Sequence, residues 1–191
     1  MNNTKKLLHK RTEYFNPEQS SSYRELGDSV IQMVKESGGE NKDIVLICIG
    51  TDRATGDALG PMVGDYILSN NTCYYVAGTL EYPVHALNLR ETIDDIYEKF
   101  DDPFIIAIDA SLGMSKVMGM VTITNSHLLP GKGVNKKLPA IGDISITGIV
   151  NLSGHAGANL LQNTRLYTVK KMSEYIGRAL IYADSHLSSP L

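Results

Sequence analysis

The run Ile44-Val-Leu-Ile-Cys-Ile49 is apolar at every position, and Gly50-Thr-Asp-Arg-Ala-Thr-Gly-Asp-Ala-Leu-Gly-Pro61 follows it directly. A half-exposed strand would alternate, so the uniform run predicts a central parallel strand covered on both faces. Pro61 fits the first turn of a following helix, where a missing N–H costs nothing. A buried strand, a short loop with two aspartates and a helix start bring carboxylates to the carboxyl edge of a sheet, where open α/β folds place their chemistry. A second apolar run, Pro103-Phe-Ile-Ile-Ala-Ile-Asp109, also ends in an aspartate. If these two strands are neighbours, Asp57 and Asp109 converge on a shared acidic site.

The rest of the chain reads as strands alternating with helices. Residues 1–21 are polar and suggest an arm or loosely attached cover, and 22–191 a single α/β hydrolase-like domain. Ser22, with Glu25 as capping-box partner, would start a helix burying Leu26, Val30, Met33 and Val34 and stopping at Gly38-Gly39. A helix over 58–69 places Leu59, Val63 and Ile67 on one face. Strands are expected at 73–77, 104–108, 117–124 and 144–150. Further helices are expected at 85–100 and 162–185, the last with Val169, Met172, Ile176 and Leu180 as its apolar stripe. The pattern implies a three-layer α/β/α sandwich with a mostly parallel central sheet, of the phosphorylase/hydrolase-like kind.

Composition narrows the function classes. With 191 residues the chain suits one domain, and a net charge of -3 with 20% charged residues gives no basic surface for direct nucleic-acid binding. Cys48 and Cys73 both lie in apolar runs and are read as buried, reduced thiols. The amino terminus is basic but no apolar core follows, so it does not read as a secretory signal. No stretch approaches the length needed to cross a bilayer. A soluble, cytoplasmic protein without membrane contact is the expectation, with oligomeric state left open.

Two nearby carboxylates have two chemical uses. They can share a proton, so that one acts as base and the other as acid, or they can bind a divalent cation that polarises a carbonyl or activates water. Each residue also has a plain structural alternative. Asp57 at a helix start could be an N-cap contributing about 1 kcal/mol, Asp109 could bond amides of the Ser111–Gly113 loop, and Asp52 could form an Asx-turn beside Arg53.

The run Ile49–Pro61 is similar to the site loop of the bacterial germination protease that degrades small acid-soluble spore proteins, a family with a Gly-Asn-x-x-x-Thr-Pro-Asp-Ala-Leu-Gly-Pro pattern. Its catalytic acids would match Asp57 and, in the Ile108-Asp-Ala110 context, Asp109. Pro130-Gly-Lys-Gly-Val-Asn-Lys-Lys137 resembles a loop of the same family. Thr51 and Gly56 depart from the pattern, and the chain is far shorter. Hydrogenase-maturation endopeptidases share this fold, which by resemblance would make Asp57 and Asp109 metal-binding acids. The chain as a whole most closely resembles the YyaC-type spore proteases. The resemblance implies a sporulation-associated peptidase with a paired-aspartate site, acting on a protein or peptide in the mother cell or forespore cytoplasm.

Other candidates complete the picture. His127 lies after the 117–124 strand, about where the maturation endopeptidases add a histidine metal ligand; a solvated loop histidine is the alternative. Loops around Gly78–Pro83 and Gly131–Lys137 would shape the substrate groove, making Asp52, Thr79, Glu81, His85 and Lys132 candidate substrate contacts. His85 also suits a plain helix start, and His155 is a weaker candidate. No His-x-x-x-His or Cys-x-x-Cys spacing signals a dedicated zinc site, so a divalent ion is an option rather than a requirement. Two further readings stand beside the peptidase: a catalytically inactive sporulation protein that binds a protein partner, and a nucleoside-processing or peptidyl-tRNA hydrolase relative.

Overall fold

The computed structural model describes residues 10–19, 22–130, 140–153 and 161–187. In chain order these form β1 (Thr12–Phe15), α1 (Ser22–Glu36), β2 (Ile44–Cys48), a 3-10 turn (Thr55–Ala58) running into α2 (Leu59–Leu68), and β3 (Tyr75–Ala77). Then come α3 (Leu89–Lys99), β4 (Phe104–Gly113), a second 3-10 turn (Ser115–Val117), β5 (Val121–Thr124), β6 (Ile144–Leu152) and α4 (Leu166–Leu187).

The strands make one sheet in the order β1-β5-β6-β4-β2-β3. β3, β2, β4 and β6 are mutually parallel. β5 runs antiparallel to β6, and β1 antiparallel to β5. Alternation along the strands sends side chains to two separate cores. Leu46, Cys48, Ile106, Ile108, Ile144 and Ile146 pack under α1, α2 and α4. Val45, Ile47, Ile105 and Ala107 pack under Leu89 and Ile96 of α3 on the other face. The result is the three-layer α/β/α sandwich the sequence predicts. Ile106 and Ile108 are wholly enclosed, each contributing about 1.5–3 kcal/mol by burial.

Several details depart from the sequence expectations. The arm assigned to 1–21 contains β1, whose Phe15 is buried and whose residues pair with β5. Ser22 does not build a capping box with Glu25. Its hydroxyl points to the carbonyls of Asn16 (2.9 Å) and Gln19 (2.7 Å) and accepts the Tyr175 hydroxyl of α4 (3.0 Å), tying β1's connection to α4. Cys73 is exposed, because the strand begins two positions later at Tyr75, while Cys48 is buried as expected. α3 starts at Leu89, since His85 lies in a turn closed by His85 carbonyl bonds to the Asn88 and Leu89 N–H groups. β5 begins at Val121, because Val117 closes the 3-10 turn and Met118 and Gly119 turn the chain before the strand. Among the described residues no helix is long and apolar enough to cross a membrane.

Candidate functional site

The connections of β2 and β3 define a crevice. β2 leads through α2 to β3 on one side, whereas β3 leads through α3 to β4 on the other, and α2 and α3 cover opposite faces. The chain therefore diverges between the carboxyl ends of β2 and β4. Such a switch point leaves an opening where open α/β sheets bind ligands.

Main-chain packing places Asp57 at this opening. Gly50, at φ +144°, turns the chain off β2, and a Cβ there would lie 1.9 Å from the Asp57 carbonyl oxygen. A Cβ on Gly60 would lie 2.1 Å from the Ile49 carbonyl oxygen. Only glycine lets the start of α2 sit this close to the end of β2. The Thr51 N–H then donates to the Asp57 carbonyl (3.2 Å), seating the 3-10 turn on the strand end. Ala54 and Ala58 occupy the N-cap positions of the turn and of α2, with no side-chain cap bond at either. Asp57 is thus not an N-cap.

Asp109 reaches the same opening from β4. It does not end its strand, because β6 continues alongside as far as Leu152 and carries β4 on to Gly113. β2 stops earlier, the Ile49 N–H donating to the Ile108 carbonyl (2.7 Å) at the last step. Asp109 is therefore the first residue of β4 beyond its neighbour. One carboxylate oxygen accepts the Ala110 N–H (2.8 Å).

The two acids affect each other. Burial pushes the Asp57 carboxyl above its ordinary value, opposed by the Thr51 backbone N–H and by His85. Burial raises Asp109 well above its ordinary value, and the negative charge of Asp57 raises it further; the Ala110 N–H opposes this. Two carboxylates in mutual range cannot both ionise freely. Of the two, Asp109 is held the further above its ordinary value, within a titration that belongs to the pair.

His85 borders the same opening through an irregular pairing. Val84 forms a parallel bridge with Ile49 and accepts the Gly50 N–H (2.8 Å), extending the line of β3 past its end. The Asn88 side chain fixes this turn, accepting the His85 N–H (2.8 Å) and donating to the Pro83 carbonyl (3.0 Å). His85 Nδ1 is buried without a partner among the described residues. Thr79, by contrast, is consumed by its own turn: its hydroxyl accepts the Tyr82 N–H (3.0 Å) and its N–H donates to the Tyr82 carbonyl (3.1 Å). Glu81 and Asp52 are exposed. Asp52 forms no Asx-turn here; the Thr51 hydroxyl takes the Arg53 N–H instead (3.4 Å). Lys132 and His155 lie outside the described residues.

His127 is on the wrong side of the sheet. β5 is antiparallel, so its end lies beside the beginnings of β4 and β6, Thr124 opposing Ser145. There the imidazole bonds the Gly142 carbonyl and lines a cavity of ≈ 160 Å³ with Ile93, Tyr97 and Ile105. It cannot join Asp57 and Asp109 around one ion. Among the described residues no three His, Cys, Asp or Glu side chains gather to hold a metal. Two carboxylates fall short of the three or four protein ligands of a zinc site, whereas an octahedral ion that keeps its waters is commonly held by one or two carboxylates.

Sequence reasoning passed over Gly50, Gly60, Val84 and Asn88 as contributors. Gly50, directly after the apolar run, and Gly60, directly after Asp57-Ala-Leu59, were a readable signal for close backbone approach; the Ile49–Val84 bridge had none.

Residues 14–179 match the model of the DUF1256 family, described as a protein of unknown function. The chain belongs to this family. Over 144 residues it is 47% identical to the uncharacterized protein YyaC of Bacillus subtilis (strain 168), covering 75% of this chain and 70% of that protein. The resemblance to the YyaC type thus extends well beyond the site loop. Among solved structures it is similar to the NiFe hydrogenase maturation protease HycI of Thermococcus kodakarensis KOD1, at 16% identity and a TM-score of 0.49, covering 80% of this chain and 99% of that one.

Proposed function

We propose that the protein is a sporulation-associated peptide hydrolase in which Asp57 and Asp109 share the acid–base work. Asp57, ionised, takes a proton from water, and the hydroxide oxygen adds to the peptide carbonyl carbon. Asp109, protonated, gives its proton to the carbonyl oxygen as negative charge develops there. The tetrahedral adduct then collapses: its hydroxyl returns a proton to Asp109, the C–N bond breaks, and the amine leaves with the proton held by Asp57. General acid–base help of this kind is worth about 10²–10⁴-fold in rate.

One observation carries the reading: Asp57, seated on the end of β2, and Asp109, the first residue of β4 beyond β2, reach one opening, where the charge of Asp57 raises Asp109. A pair of carboxyls pushed apart in proton affinity is the pattern that hydrolytic carboxyl pairs use. The sporulation setting rests on the likeness of Ile49–Pro61 to the germination-protease site loop. The test is incubation of the purified protein with unfolded protein substrates, with new termini identified by mass spectrometry. Cleavage that survives a chelator and vanishes in Asp57→Asn supports the proposal. Cleavage at an unchanged rate in that variant refutes it.

A further inference from the structure

We propose that the edge of β4 from Ala110 to Leu112, which no strand pairs on its β2 side among the described residues, receives the substrate as an added β-strand. That the occupant is a substrate rests on the peptide-hydrolase reading; that the edge binds an extended peptide rests on backbone geometry alone.

Hydrogen bonds fix which way each residue of β4 faces. The Phe104 N–H donates to the Asp43 carbonyl (2.8 Å) and the Ile108 carbonyl accepts the Ile49 N–H (2.7 Å), so even-numbered residues face β2. The Ile105 carbonyl accepts the Asp143 N–H (2.7 Å) and the Gly113 carbonyl accepts the Ser153 N–H (2.8 Å), so odd-numbered residues face β6. Ala110 and Leu112 therefore face the β2 side, but β2 has ended at Cys48 and the chain has turned away at Gly50. Asp109 satisfies the Ala110 N–H with its own carboxylate. The Ala110 carbonyl and both main-chain groups of Leu112 find no strand among the described residues. Both residues are half-buried, a setting where unpaired main-chain groups gain from a partner.

An unpaired edge is a template for strand addition, with main-chain bonds supplying affinity and alternate side chains supplying selectivity. A peptide lying here would continue the line of β2 and bring its backbone against the Asp109 carboxylate. Just past the far end of the edge, Met114 is 63% exposed. The occupant is thus an extended, unfolded segment with apolar side chains at the end away from the cut bond. A folded helix or a closed domain offers no free strand for the edge.

The test uses the full chain carrying Asp57→Asn and a fluorescein-labelled peptide of about ten residues, alternating Val and Thr with a Leu-Met end. The peptide is N-methylated at one position at a time. Methylation at alternate positions should weaken binding about tenfold or more, and at the intervening positions by less than about twofold, because only every second N–H faces the edge. The Leu112 amide should exchange faster than those of Ser111 and Gly113 in the free protein and slow about tenfold on peptide addition. Leu112→Pro, which removes an edge donor but no β6 bond, should lose binding with Tm retained. Equal tolerance of methylation everywhere, or no binding, overturns the proposal. Period-two binding without cleavage by the wild-type chain overturns the hydrolase reading and leaves the edge standing. Cleavage without that period does the reverse.

Discussion

The negative charge of Asp57 bears on the proton of Asp109, although the two residues come from different strand ends and meet only because β2 and β4 are adjacent. From that relationship follow the expectations for catalysis, stability and pH.

Asp57→Asn and Asp109→Asn should each lower peptide cleavage by about 10²–10⁴-fold with little change in KM, since each removes a proton-transfer step rather than a binding contact. Circular dichroism should show the fold retained in both. A variant with wild-type kcat would remove its residue from the chemistry.

Asp109→Asn should also stabilise the protein near neutral pH. The folded-state carboxyl is raised above its unfolded value, so the folded chain holds a proton that the unfolded chain releases. The contribution of that group to stability is whole below the ordinary carboxyl range and is lost as pH rises toward the raised value. The difference in Tm between variant and wild type should be smallest at acid pH and widen as pH climbs. A constant difference, or one that shrinks, contradicts the assignment.

His85→Ala should shift the acid limb of the pH–activity profile upward. His85 favours the ionised form of Asp57, and without it the carboxyl holds its proton to higher pH. His127→Ala, by contrast, should leave kcat/KM within about twofold, because its ring faces Gly142 at the opposite sheet edge. Loss of activity in the His127 variant would reopen the metal reading.

Gly60→Ala tests the backbone contact that positions Asp57. The added methyl would sit 2.1 Å from the Ile49 carbonyl oxygen, and overpacking of this sort costs about 1–3 kcal/mol. Urea unfolding should report that loss, and activity should fall beyond it as the 3-10 turn lifts from β2. Normal stability would mean the turn can slide without cost.

The central layer is legible because buried parallel strands write themselves as uninterrupted apolar runs, as in Ile44–Cys48 and Phe104–Ile108. Asp57 and Asp109 are legible for the same reason, each following such a run. β1 is not: with Tyr14 turned to solvent and only Phe15 buried, four residues are too few to show alternation, and their partner β5 is distant in sequence. The continuation of β4 past Asp109 is equally hidden, since Asp109-Ala-Ser111 has loop composition and only β6 beside it keeps it extended. His127 misleads because a strand's direction decides which edge its end meets, and β5's reversal has no local signature. His85 reaches the crevice through the Ile49–Val84 bridge, a tertiary contact no periodicity encodes.

Gly60 meets Ile49 through main chain alone, so the seat of Asp57 is indifferent to which side chains fill the two cores. Relatives can exchange one aliphatic residue for another beneath the helices, and drift far apart in doing so, while the acid keeps its station. Divergence in this family should accordingly be steep in the interior and shallow at a few residues without side chains.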